Sequence, residues 1–179
     1  YPEKKEKADF TEVIYSGMDG YIHFLDLEDG SESRPAIHVG MVFKGTASLH
    51  PSGIPMLVLG SGDAQTGLYG ENVSPRAYIY SLIDGTKLYE FGYNDDMAHR
   101  TFHAFDSSPV IDAKTDTLFY PGENGVLYTV KLNTEYDAEA GTLAINPEHV
   151  VDYTYTTARA TEDAFTWGME NSAVVNENY

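Results

Sequence analysis

The sequence has no cysteine, one tryptophan, and only 11 lysine and arginine residues against 28 aspartate and glutamate. Without cysteine there is no disulfide framework, no thiolate nucleophile and no cysteine-ligated metal. The shortage of basic residues leaves a formal charge of −17. That field repels phosphate backbones and anionic lipid, which excludes nucleic acid as a partner and otherwise reads as solubility. No run of 18 apolar residues is present, so no helix of the sequence spans a membrane. Nor does any segment of helical length show a 3.6-residue apolar period. The chain opens without methionine or signal peptide. Its start, Tyr1-Pro2-Glu3-Lys4-Lys5-Glu6-Lys7, reads within residues 1–10 as a charged linker of a processed chain or a piece of a larger one.

What is present is turn chemistry and β-formers. There are 16 glycines and 14 tyrosines, and tyrosine suits half-exposed sheets because its ring packs while its hydroxyl stays wet or paired. Two apolar runs, 12–18 and 21–27, flank Asp19-Gly20. That is the strongest short hairpin signal, since both residues tolerate positive φ. Asp29-Gly30, Pro51-Ser52-Gly53, Asp84-Gly85 and Asn124-Gly125 punctuate the rest at spacings of about 8–12 residues.

One stretch organises the chain. Phe105-Asp106-Ser107-Ser108-Pro109-Val110-Ile111-Asp112 is echoed by Phe43-Lys44-Gly45-Thr46-Ala47-Ser48-Leu49-His50 and by Met169-Glu170-Asn171-Ser172-Ala173-Val174-Val175-Asn176. The spacings are 62 and 64 residues, and a fixed period of this kind marks a repeat architecture. Each full unit holds four short strands, which predicts an all-β fold, a β-propeller fragment of four-stranded antiparallel blades. The expected division is a first blade without its inner strand (11–42), a second blade (43–93), a third (104–156) and the inner strand of a fourth (169–179). The outer strand of blade three is expected at 149–155, after a long excursion through Ala138-Glu139-Ala140-Gly141. The remaining blades then come from the same parent protein or from another copy.

The entry Ser107-Ser108-Pro109-Val110, the turn Gly122-Glu123-Asn124-Gly125 and the ending Leu132-Asn133 recur as Gly17-Met18-Asp19-Gly20 and Leu25-Asp26. This pattern resembles the quinoprotein-dehydrogenase-like β-propeller family, with its pyrroloquinoline-quinone-type repeat. The resemblance implies a bacterial protein that is secreted, periplasmic or at the cell surface. It also implies two functional classes: a non-catalytic binding or scaffold propeller, or part of a quinone-dependent oxidoreductase or propeller hydrolase or lyase whose catalytic groups lie in other blades. Calcium and pyrroloquinoline quinone are the cofactors it would bring, but the adjacent cysteines that cover the quinone in such enzymes have no counterpart here. No cofactor and no catalytic residue is therefore expected in this chain.

Propeller topology puts second-to-third-strand loops and blade-to-blade connections on one face. Here these are the long segments 63–76, 92–104 and 156–168, where a protein or glycan ligand is expected to bind. Lys44, Asp106 and Glu170 hold equivalent positions at the rim. Asp95, His99, Arg100 and His103 form the densest cluster of functional side chains, and His99 and His103 stand four apart, as two imidazoles on one helical turn would. Gln65, Tyr69 and Glu71 offer oxygen donors and a ring among glycines, without the acidic spacing of a calcium-binding loop. Trp167 is either a stacking platform or a wedge between blades. Gly60-Ser61-Gly62 does not make the nucleophile elbow of hydrolases.

Overall fold

The computed structural model describes residues 11–62, 68, 74–98, 103–154 and 168–176, and these contain antiparallel sheets and no α-helix. The first sheet has the order β1-β2-β3, from β1 (Glu12–Ser16), β2 (Tyr21–Asp26) and β3 (Ile37–His38). Its register sets Ile14 opposite Phe24 and Ile22 opposite Ile37. With a side-chain period of two, those four form one apolar face. Asp19 makes the hairpin turn by accepting the Tyr21 N–H at 3.3 Å, and Gly20 takes φ 85°, which a side chain would oppose.

The second sheet runs β4 (Ser48–Leu49), β5 (Met56–Gly60), β6 (Ala77–Ser81) and β7 (Lys87–Phe91), in that order. Every residue of β5 and β6 is buried. The reason is that both faces are covered, which is also why these strands read as continuous apolar runs. Leu57, Leu59, Tyr78 and Tyr80 pack on Ile22 and Phe24 of the first sheet. Met56, Val58 and Ile79 pack the other way, on Leu118, Tyr120 and Tyr128 of the third. Phe91 meets Phe105, Tyr120 and Tyr128 there, with centroids 6.0, 6.4 and 5.1 Å away in edge-on arrangements. Such pairs are each worth about 0.5–1.5 kcal/mol beyond burial.

The third sheet is built from β8 (Val110–Asp112), β9 (Thr117–Pro121), β10 (Val126–Lys131) and an outer edge in two pieces. A separate hairpin, β11 (Glu135–Asp137) and β12 (Thr142–Ala144), precedes β13 (Glu148–His149) and β14 (Tyr153–Thr154), which both pair β10. The single outer strand expected at 149–155 is therefore broken. The pairing slips by one residue between Val130↔His149 and Leu127↔Tyr153, and a bulge of this kind sharpens the local twist. Inside the break the Asp152 carboxylate accepts the Thr129 N–H at 3.0 Å, standing in for a strand carbonyl.

One bond recurs at every blade crossing. The N–H of Phe43 reaches Gly17 O at 3.3 Å, that of Phe105 reaches Ser61 O at 2.8 Å, and that of Met169 reaches Gly122 O at 3.1 Å. Each donor opens a repeat; the acceptors follow β1, β5 and β9, which are equivalent strands because the first sheet lacks the inner strand of a full blade. Successive inner segments also touch, through Ser48 Oγ to Pro109 O at 2.5 Å and Ser108 N to Ser172 Oγ at 2.9 Å. Sheets stacked face to face, hooked by an equivalent bond at each step, are propeller blades, and the fold is an all-β propeller fragment. Residues 170–176 follow the third hook and have no strand partner among the described residues.

Candidate functional site

The hooks define one face. Lys44, Asp106 and Glu170 each come directly after a hooking residue, and so they lie at the junctions of successive blades. Lys44 Nζ reaches across to Asp106 Oδ2 at 3.3 Å, a pair left partly open with 48% and 22% of the side chains exposed. An exposed pair of this kind contributes about 0–1 kcal/mol. Glu170 is exposed at the next junction. Backbones come very close here. A Cβ on Gly45 would stand 2.5 Å from Ser107 O, and one on Gly60 would collide with Phe105 and the Tyr120 hydroxyl. Glycine is required at both points for close approach.

Asp95 stands above the second junction. It accepts the Met97 N–H at 3.0 Å and lies beside the Tyr128 hydroxyl, which itself takes a 2.6 Å hydrogen bond from Asn124 Nδ2. Burial pushes the Tyr128 phenol up, and the Asp95 carboxylate adds to this. His103 packs against Tyr93 edge-on at 5.2 Å, while the Arg76 guanidinium lies 5.1 Å over the same ring and pairs with Glu90. Gln65, Tyr69, Glu71, His99, Arg100 and Trp167, also expected at this face, lie outside the described residues.

Sequence reasoning missed Tyr120, Glu123, Asn124 and Tyr128. Glu123 is 5% exposed and Asn124 fully buried, although charged and amide side chains are seldom hidden. Their turn, 122–125, tucks under the second junction, where the Glu123 N–H binds Ala104 O at 2.9 Å and Asn124 Oδ1 accepts the Val126 N–H at 3.1 Å. The available signal was a carboxylate and an amide between two glycines, read only as a turn.

Two histidine–carboxylate pairs each join a strand histidine to a carboxylate just outside a strand. His23 Nε2 meets Asp19 Oδ2 at 2.8 Å on the first sheet. On the outer edge His149 Nδ1 meets Asp152 Oδ2 at 2.6 Å, and His149 Nε2 is 3.2 Å from the Tyr89 hydroxyl. The geometry is that of an acid–histidine–hydroxyl relay, but the hydroxyl is a phenol whose pKa burial raises. A raised pKa makes it a poorer nucleophile. The relay ties β7 to β13, one blade to the next. The chain has no cysteine, and no three His, Cys, Asp or Glu side chains gather as metal ligands among the described residues. No helix among them is long and apolar enough to cross a membrane.

No protein-family description and no curated protein matches the sequence. Among solved structures, the chain is similar to the crystal structure of the Myceliophteria thermophila Cps50 (Swd1) β-propeller domain. The TM-score is 0.46 at 17% identity, over 82% of this chain and 40% of that one. The chain thus spans less than half the length of that domain.

Proposed function

We propose that this chain is a binding segment of a β-propeller that engages a protein partner carrying basic side chains, through the face on which the blade crossings lie. The observation that supports it is the convergence there of groups from separate connections: the Lys44–Asp106 pair across one junction, Asp95 beside Tyr128, and exposed Glu170 at the next. A rigid scaffold with its variable connections on one side is the usual arrangement of a binding surface. A glycan is the other candidate. The described rings favour protein, because Tyr93 has His103 against its edge and Arg76 over its face, leaving less open platform for a sugar.

The test is binding of immobilised chain to a lysine- and arginine-rich peptide and to a glycan array. Combined Asp95→Asn, Asp106→Asn and Glu170→Gln should weaken peptide binding about tenfold or more, roughly 1.4 kcal/mol. Combined Glu28→Gln, Glu32→Gln and Glu139→Gln removes the same charge from exposed sites elsewhere and should change it less than about twofold. Equal losses in the two sets would reduce the binding to net charge. Glycan binding with no peptide binding would replace the proposed partner.

A further inference from the structure

The first and third sheets carry complementary defects. The first begins at the strand that is second in a full blade, and no strand pairs the outer edge of β1 among the described residues. Beyond the third, residues 170–176 repeat the inner segments of the second and third blades with no sheet to join. An open strand edge is a template for pairing with another chain. Val174 is 94% exposed, and Val13 is 42% exposed where its counterparts Leu57 and Leu118 are buried.

The repeat fixes the register such a pairing takes. Counting back from the hook acceptors Gly17, Ser61 and Gly122 makes Ile14 the counterpart of Val58 and Phe119, and Val13 that of Leu57 and Leu118. Counting forward from the donors Phe43, Phe105 and Met169 makes Val174 the counterpart of Ser48 and Val110, and Val175 that of Leu49 and Ile111. In the two full blades the inner strand pairs at Ser48↔Val58 and Leu49↔Leu57, and at Val110↔Phe119 and Ile111↔Leu118. The same register sets Val174 opposite Ile14 and Val175 opposite Val13. The two halves cannot meet within one chain, because the second sheet lies between the first and the third. Residues 170–176 are held on the far side, by the Met169 hook and by the bond from Ser108 N to Ser172 Oγ.

We propose that the segment 170–176 of one copy completes the first sheet of a second copy, as the inner strand beside β1. Main-chain bonds of an added strand supply the attachment, and the alternate side chains its specificity. Seated there, the first sheet of the second copy becomes the blade that follows the third. Its Val13 and Tyr15 turn toward an open groove of about 880 Å³ lined in part by Val110, Phe119 and Val174. One junction earlier Leu118 and Tyr120 pack on Met56 and Val58 in the same way. Each copy offers both halves, so the head-to-tail contact closes on itself. Two copies then make a ring of six blades, within the usual range of about four to eight.

The contact brings together two chains of charge −17, so it is measured where salt shortens their repulsion to about 8 Å, near 0.15 M. There the 179-residue chain should sediment as a dimer, at twice 19.8 kDa. Val174→Asp with Val175→Asp should weaken dimerisation about tenfold or more. Val150→Asp with Val151→Asp adds the same charge at exposed positions of the third blade and should change it less than about threefold. Because the chain has no cysteine, the register can be read directly. Val13→Cys protein, mixed and exchanged with Val175→Cys protein, should form a disulfide-linked dimer on mild oxidation, since directly opposed Cβ atoms stand about 5 Å apart. Tyr15→Cys mixed with Val175→Cys sets the thiols diagonally, about 7 Å apart, and should link at less than about a third of that yield. A monomer at every concentration and salt, a dimer indifferent to the Val174 and Val175 changes, or equal yields from the two mixtures would overturn the proposal.

Discussion

Asp26, Asp29, Asp84, Asp112 and Asp137 each accept the backbone N–H two residues ahead, at 2.7 to 3.3 Å. Part of the acidity that composition suggested was for solubility is therefore turn chemistry, in which a carboxylate imitates a backbone carbonyl. The turns were legible where aspartate preceded glycine, at Asp29 and Asp84. Their electrostatic consequence was not, because it depends on which amides converge. Hydrogen bonds from Thr86 to Asp84 and from Thr115 to Asp112 hold both carboxyls below the ordinary value of 3.8. The tyrosines were legible as a class but not individually: Tyr15 is exposed while Tyr78, Tyr80, Tyr120 and Tyr128 are buried. Burial pushes Tyr78 up to about 12 and the other three phenols further. A folded pKa above the unfolded value of about 10 means stability is intact below pH 10 and is lost as pH rises toward the folded values. Alkaline titration should therefore show phenolate absorbance at 295 nm in two stages. Exposed tyrosines ionise first, and the four buried ones ionise together with loss of the β-sheet circular dichroism signal. Complete ionisation with the sheet signal intact would contradict their burial.

Hairpins closed by a glycine at positive φ were readable because the turn requires a particular residue, as Gly20 and Gly125 show at φ 85° and 86°. The start of each inner segment was readable because the same hook must form at every blade. The outer edge of the third blade was not. A one-residue slip is stabilised there by a side chain, and nothing in the run 148–154 distinguishes an aspartate that caps an amide from one that faces solvent. The β11–β12 hairpin was hidden for a related reason: its strands are three residues long and mostly exposed, so they show no apolar alternation. Asp152 is the test of this element. It holds His149 at 2.6 Å and the Thr129 N–H at 3.0 Å with its side chain only 11% exposed. Asp152→Ala leaves an amide and an imidazole without their acceptor. It should cost about 1–3 kcal/mol in urea unfolding, against less than about 0.5 kcal/mol for Glu139→Ala on the exposed hairpin. Similar small losses in both would show that the bulge does not depend on the carboxylate.

Across the molecule, the repeat was readable because it is a property of spacing, and the hooks at Phe43, Phe105 and Met169 give that spacing its physical cause. The candidate face was less so, because its polar atoms gather only when loops of different blades are brought together. Tyr120 and Asp106, for example, belong to different structural segments of their blade. Net charge acts at the same scale. With −17 on 179 residues, folding concentrates like charge, and the self-repulsion opposes the compact state. Two arginine pairs work against this: Arg34 binds Glu12 through two nitrogens at 3.1 and 2.8 Å, and Arg76 binds Glu90. Salt weakens both effects, but not equally. The repulsion sums over many distant acids and is cut strongly as the Debye length falls from about 30 Å at 0.01 M to about 3 Å at 1 M. The half-buried pairs are in direct contact and are screened less. The melting temperature should therefore rise when sodium chloride is increased from 10 to 500 mM, and Arg34→Lys, which loses the forked geometry, should lower the curve without changing its slope. A melting temperature that falls with salt would mean the local pairs outweigh the summed repulsion, and the acidity would then have to be read as a network that holds the blades together.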